Sequence, residues 1–356
     1  MRVFAYSFFL LLTMACSSLV AQTGTLDEKD KAVFVFDVRM DDMRESELGK
    51  KLGMSDRLSE LTEGDDGVSP NVIDRVFGAM SLPQNVQEAM MAQFGEVKFN
   101  LFVKVYFNDE AAVDQLLAEI GSDSAETVEN DGKTYYVMPA DGPVPPGLLL
   151  MQVVDSKTIE LGTKKFLFHP NRKLLTDNLM SSARDSPKAP IRLAMDFSGA
   201  KGLVSELVEM GKMQAGGNPS VGAFMDLINN VQDLSIMIGM DGEDLLTIKA
   251  RGVDDEKSKE LKSGVDALLG LAKMSMQQFM PMVEGADPDA AKMLGVVSKA
   301  LKAKGTGREV ILKIPTPKGL GDYMAEKMES LPSLLMGGLG GQSEPGQGFS
   351  PESPDF

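Results

Sequence analysis

Met195–Leu207 reads MDFSGAKGLVSEL, and Phe36–Leu48, near the start of the chain, reads FDVRMDDMRESEL. Aligned without a gap, Asp37 falls on Asp196, and Ser46-Glu47-Leu48 falls on Ser205-Glu206-Leu207. Upstream, Phe34, Phe36, Val38 and Met40 alternate with polar neighbours, as do Leu193, Met195 and Phe197. Alternation of period two predicts a strand with one buried face. In each copy the Asp lies on the opposite face near the strand's end, and a helix follows. The chain therefore reads as built twice.

A second correspondence supports the first. FVKVYFNDEAAVDQLLAEI, Phe102–Ile120, predicts a strand, an Asn108 cap and a helix with Val113, Leu116, Leu117 and Ile120 along one stripe. LLTIKARGVDDEKSKELKSGVDALLGL, Leu245–Leu271, predicts a strand, a cap at Asp254 or Asp255, and a longer amphipathic helix. Leu234–Ala250 reads as a hairpin turning at Asp241-Gly242. Gly147–Thr163 reads as a second hairpin turning near Asp155-Ser156-Lys157, preceded by a strand in KTYYVMPA. Ser69-Pro70 predicts a cap and first-turn proline opening a helix through Met80. A further helix is expected over Ala286–Lys302, and a late strand over Arg308–Pro315. The fold class is α+β: two similar halves, each an antiparallel sheet packed with amphipathic helices. The expected organisation is a signal peptide over 1–21, repeats over 27–180 and 191–335 joined by a polar, proline-containing linker over 181–190, and a disordered glycine-, proline- and serine-rich tail over 336–356.

The first residues, MRVFAYSFFLLLTMACSSLVAQTG, place Arg2 before an apolar run and then small residues, the shape of a secretory leader. The run is shorter than the roughly 20 residues a bilayer span needs, and no later segment is long and apolar enough. Simple cleavage before Gln22 is one reading. The other is a lipobox at Thr13-Met14-Ala15-Cys16, with Cys16 lipidated and the protein anchored to the outer membrane. Cys16 is the only cysteine, so stability in the periplasm or outside the cell must come from packing, not disulfides. The net charge of −16 repels phosphate backbones, which argues against nucleic acid as a partner.

The layout resembles a loosely defined group of exported bacterial two-repeat α+β proteins of unknown function. They share a leader, an aliphatic strand ending in Asp, a helix with Glu-Leu, and a strand–helix unit. The resemblance implies an α+β fold and no activity.

Few residues carry chemistry. Ser198-Gly199-Ala200-Lys201 has the Ser-x-x-Lys spacing of serine acyltransferases. Its companion Lys262-Ser263-Gly264 falls inside an expected helix, and no Ser-x-Asn stands between them. Ser198 is therefore read as a cap accepting a backbone N–H. His169 is the only histidine, which excludes a multi-histidine metal site. The carboxylate clusters Asp41-Asp42, Asp65-Asp66, Asp241/Glu243/Asp244 and Asp287/Asp289 sit where turns and helix starts favour Asp. There is no phosphate loop or dinucleotide fingerprint, and no cofactor is expected. Methionine is abundant at 25 residues, with no tryptophan. Its densest run holds Met274, Met276, Met280 and Met282, with Pro281 expected to interrupt the helix. Thioethers there would serve core packing, an apolar binding surface or Cu(I). The expected function is a non-enzymatic exported binding or structural protein. A hydrolase using carboxylates or Ser198 and Lys201 is the alternative, and a Cu(I)-binding protein the second.

Overall fold

The computed structural model describes residues 33–60, 68–81, 85–87, 100–121, 125–138, 148–168, 179, 189–214, 227–242 and 244–327. The leader with Cys16, the Ser181–Lys188 stretch, His169 and the tail lie outside the described residues.

The first half supplies strands β1 (Phe34–Arg39), β2 (Ile73–Met80), β3 (Leu101–Phe107), β4 (Thr127–Asn130), β5 (Lys133–Val137), β6 (Leu149–Asp155) and β7 (Thr158–Thr163). The second supplies β8 (Ile191–Asp196), β9 (Val231–Ile238), β10 (Asp244–Gly252), β11 (Ala303–Thr306) and β12 (Glu309–Pro315). All pair antiparallel in one 12-stranded sheet of order β11-β12-β10-β9-β8-β1-β2-β3-β7-β6-β5-β4. The chain is α+β, and its two half-sheets join edge to edge through β1 and β8. Outward from that seam the order repeats: β2, β3 and then the β7–β6 hairpin on one side, β9, β10 and then the β12–β11 hairpin on the other.

Helices α1 (Met40–Glu45), α2 (Glu47–Lys51) and α3 (Met54–Glu60) follow β1, α4 (Ala111–Glu119) follows β3, and α5 (Lys164–Leu167) follows β7. After β8 a 3-10 turn, Phe197–Ala200, leads into α6 (Lys201–Gln214), while α7 (Asp255–Ala286) and α8 (Pro288–Ala300) follow β10. One face of the sheet carries Phe36, Val76, Val103, Met151 and Ile159 under Val113 and Leu116 of α4. On the same face Ala250 and Val310 lie under Leu261, Val265 and Leu268 of α7. On the other face Val35, Ala79, Phe102 and Leu150 meet Phe166 and Leu167 of α5.

Three local expectations are corrected. Residues 73–80 form β2, not a helix: Val76, Gly78 and Met80 alternate into the core, and Pro70 opens only a 3-10 turn, Pro70–Val72, capped by Ser69. Asn108 does not cap α4; the Asp109 carboxylate accepts the Ala111 N–H at 3.0 Å, and the Asn108 amide donates to the Asn71 carbonyl at 3.1 Å. Pro281 does not interrupt its helix, since α7 runs on to Ala286. Proline deprives the preceding turn of one hydrogen bond, and here the freed carbonyl belongs to exposed Gln277, which water can satisfy. The two aligned serines differ in setting: Ser205 lies inside α6, whereas Ser46 caps α2 by accepting the Gly49 N–H at 2.8 Å. The hairpins, the Asp254 cap of α7 and the late strand β12 lie where the sequence places them.

Gly78 pairs with Phe36 across β1 and β2, and a Cβ on Gly78 would occupy the Phe36 ring. Gly78→Ala should therefore destabilise by about 1–3 kcal/mol through overpacking. In a Phe36→Ala background the same change should cost far less. Urea unfolding of the four proteins checks this; equal cost in both backgrounds would place the penalty elsewhere.

Candidate functional site

On the sheet face opposite Phe36, the seam carries charge. Asp37 pairs with Arg192 in the β1–β8 register, and its side chain is 3% exposed. Its Oδ1 accepts from Arg75 Nε at 2.6 Å. Its Oδ2 faces Arg192 Nη1 at 3.7 Å and Arg39 Nε at 3.8 Å. Three guanidiniums thus surround one buried carboxylate. Each is held from outside the cluster as well. Arg192 Nε donates to the Ala189 carbonyl at 3.0 Å, Arg39 reaches Asp42 at 3.4 Å, and Arg75 lies over the rings of Phe77 and Tyr106. Burial, then repulsion from Arg39, pulls the Arg192 pKa below its usual value, against the attraction of Asp37.

The aligned aspartate, Asp196, has a different setting. Its symmetry-related neighbour across the seam is Val33, whose carbonyl accepts the Asp196 N–H at 2.8 Å. Asp196 Oδ1 instead accepts the Ser198 N–H at 2.9 Å and the Ser198 hydroxyl. Asp196 is thus the cap of the turn, and Ser198 is its donor. This corrects the expectation that Ser198 would accept. On the far side Asp196 pairs with Asp233 of β9, which pairs with Arg251 of β10 and through it with Glu309 of β12. Asp233 is 5% exposed. Its Oδ2 accepts no hydrogen bond among the described residues; Arg251 Nε stands 3.6 Å away. Burial raises the Asp233 pKa, Arg251 opposes the rise, and Asp196 adds to it.

The Ser198 hydroxyl proton thus points to Asp196, not to Lys201, which is exposed and makes no hydrogen bond or ion pair among the described residues. The carboxylate clusters stay apart. Asp42 pairs with Arg39, Asp241 accepts the Glu47 N–H, and Asp244 pairs with Lys313. Asp287 caps α8, and its hydrogen bonds with Lys327, the Ala290 N–H and Tyr323 bring its pKa down to about 2. Asp65, Asp66 and Glu243 lie outside the described residues. Among the described residues no three His, Cys, Asp or Glu side chains gather as a metal site. The four methionines share α7 but not a face. At 3.6 residues per turn, half-buried Met276 and Met280 stack on one side, while Met274 and Met282, 58% and 72% exposed, lie on another.

Sequence reasoning missed Arg75, Arg192, Asp233 and Arg251. Each is a charge on the polar side of an alternating strand run, which reads equally well as a solvated face until the neighbouring strands are known.

No protein-family model matches the chain, and no curated protein matches it. Among solved structures it is similar to TP0453 in three crystal forms. Crystal form IV is 10% identical, with 87% of this chain and 98% of that chain covered and a TM-score of 0.35. Form III is 9% identical with a TM-score of 0.32, and form I is 9% identical with a TM-score of 0.34, each again covering 87% of this chain. Likeness this slight assigns neither family nor role. Among the described residues no helix is long and apolar enough to cross a membrane.

Two tests follow from the polar face. Asp37→Asn leaves three arginines without their shared carboxylate and should cost about 3–5 kcal/mol. Asp196→Asn keeps a capping side chain and should cost about 1 kcal/mol or less. Denaturant unfolding of the two variants compares them; equal costs would mean that the arginines do not depend on Asp37. For Asp233 the raised folded pKa fixes the sign. Its stabilising contribution is complete below the ordinary carboxylate value of about 4 and is lost as pH climbs through the folded value. Asp233→Asn should match the parent near pH 4 and exceed it in stability at neutral pH. A variant less stable at neutral pH would show Arg251 holding the charge favourably.

Proposed function

We propose that the chain is an exported, non-enzymatic binding protein of the bacterial envelope, holding an apolar ligand or partner on the outward side of α7. One observation carries the reading. From Ala267 to Ala286 the only charged residues are Lys273 and Glu284, although the whole chain is 25% charged. Leu271, Met274, Phe279 and Met282 are nonetheless between 49% and 72% exposed. Exposed apolar side chains clustered on one element mark an interaction surface rather than a solvated one, and flexible thioethers suit irregular apolar partners. A smaller patch, Leu207, Met210 and Met213 on α6, repeats the pattern.

The alternatives find less support. A hydrolase needs a base within reach of its nucleophile, and Ser198 has a carboxylate cap in that place. A Cu(I) site needs converging sulfurs, and the helix separates Met274 and Met282 from Met276 and Met280. Export rests on the leader alone.

Native mass spectrometry of protein purified from a bacterial envelope, with a denatured control, tests both parts. A denatured mass beginning at Gln22 supports simple export; acyl mass on Cys16 supports an anchored lipoprotein. For the surface, bis-ANS fluorescence should report an apolar site that Met282→Glu weakens about tenfold, the worth of roughly 1.4 kcal/mol of lost burial. The unfolding midpoint should not change, because the residue is exposed. Dye binding that is absent, or indifferent to Met282→Glu and Phe279→Glu, overturns the reading.

A further inference from the structure

The identity of the occupant rests on that reading of α7 and deepens it. We infer that the outward side of α7 pairs antiparallel with the same side of a second copy of this chain, around an axis at Gln278.

The spacing supports this first. At 3.6 residues per turn, Ala267, Leu271, Met274, Gln278, Met282 and Gly285 fall along one line. Steps of three and four residues are the pattern of helices packed at a shallow angle. Turned end for end about Gln278, the line complements itself. Leu271 of one copy meets Gly285 of the other, Met274 meets Met282, and the two Gln278 amides meet on the axis, where each can donate to the other. Large thus faces small, twice over, in a closed isologous contact.

The glycines give a second reason. A Cβ on Gly270 or Gly285 would meet nothing within 4 Å, so nothing among the described contacts requires either glycine. Glycine inside a helix lowers its stability relative to alanine. A neighbouring helix approaching closely would give Gly285, which lies on the line, a purpose as the place that receives Leu271 of the partner.

Charge supplies the third. Two copies of a chain with net charge −16 repel one another. Contact is cheapest where no charge opposes charge, and Lys273 and Glu284 both lie on the other side of the helix from this line. The outward side of α8, by contrast, carries exposed Asp289, Lys292 and Lys299. The paired strip is about 30 Å long, a narrow contact that favours a dimer forming only at raised concentration. Its backbone is already ordered by the packing of α7 against α8, which lowers the entropy lost on pairing.

Sedimentation across a micromolar-to-submillimolar series should show monomers passing to dimers. In a Cys16→Ser background, Gln278→Cys should oxidise to a disulfide-linked dimer, and Lys273→Cys, on the far side, should not. Gly285→Leu adds apolar surface and helix propensity but fills the hollow. It should weaken dimerisation at least tenfold while bis-ANS binding to the monomer is retained. Monomers at every concentration, or cross-linking through Lys273→Cys in preference to Gln278→Cys, overturn self-pairing. Monomers that still bind the dye at Met282 overturn self-pairing alone and leave a lipid or another apolar molecule as the occupant. Monomers that bind no dye overturn the apolar surface as well.

Discussion

The pairing of β1 with β8 is the contact on which the rest of the molecule depends. Without it the sheet would be two, each ending in a strand with a row of unpaired N–H and C=O groups. The register is specified from both faces. Phe34, Phe36 and Val38 lie opposite Met195, Leu193 and Ile191, and between them Asp37 lies opposite Arg192. A slip of one residue would send every side chain to the other face and put Asp37 among the phenylalanines. Buried ion pairs contribute little net stability, but their disruption is costly. Here that asymmetry acts on alignment: the charged rung penalises every register but one.

The matching strand order on the two sides explains the geometry of the seam but not its chemistry. A two-fold relation between the halves creates two equivalent places where an aspartate meets the opposing strand. In one, Asp37 finds Arg192 and gathers Arg75 and Arg39. In the other, Asp196 finds Val33 and turns to its own chain, capping the turn at Ser198. Of the two aligned aspartates, one is therefore an ionic clasp and the other a cap. Its second neighbour, Asp233, is carried on the next strand with its charge only partly answered by Arg251. Such a distribution stiffens and aligns a sheet.

The parts of the fold legible in the sequence were those in which local pattern and tertiary role agree. Alternation disclosed β1 and β8. Asp241-Gly242 disclosed the β9–β10 hairpin, where Gly242 has φ of 129°, and Asp254 disclosed the start of α7. Misreadings arose where a local signal was outvoted. Ser69-Pro70 is a sound helix opening, but the eight residues after it are claimed by β1 on one side and β3 on the other. Pro281 is a sound helix break, but α8 packs back along α7 and the lost bond faces water. The charged rung was least legible. Which strands become neighbours decides whether an arginine is a surface charge or a clasp, and no alternation pattern states that β1 lies beside β8.

The exposed end of α7 follows from a mismatch of lengths. Its 32 residues extend about 48 Å, while the nine residues of β10 beneath it reach about 30 Å. The helix packs on the sheet through Leu261, Val265, Leu268 and Leu269 and then overruns the edge. Beyond it, α8 turns back from the Asp287 cap and covers one side, leaving the other open. Geometry explains why that side is exposed, but not why it is uncharged. An overrunning helix with no further task would be expected to carry the lysines and glutamates that good helix formers supply, as the first turns of α7 do at Glu256, Lys257, Lys259 and Glu260. Instead the run turns to leucine, methionine, phenylalanine and glycine at the point where the sheet ends. The fold puts this side in water although its side chains are apolar and nearly without charge, a combination that the sheet's own packing does not require.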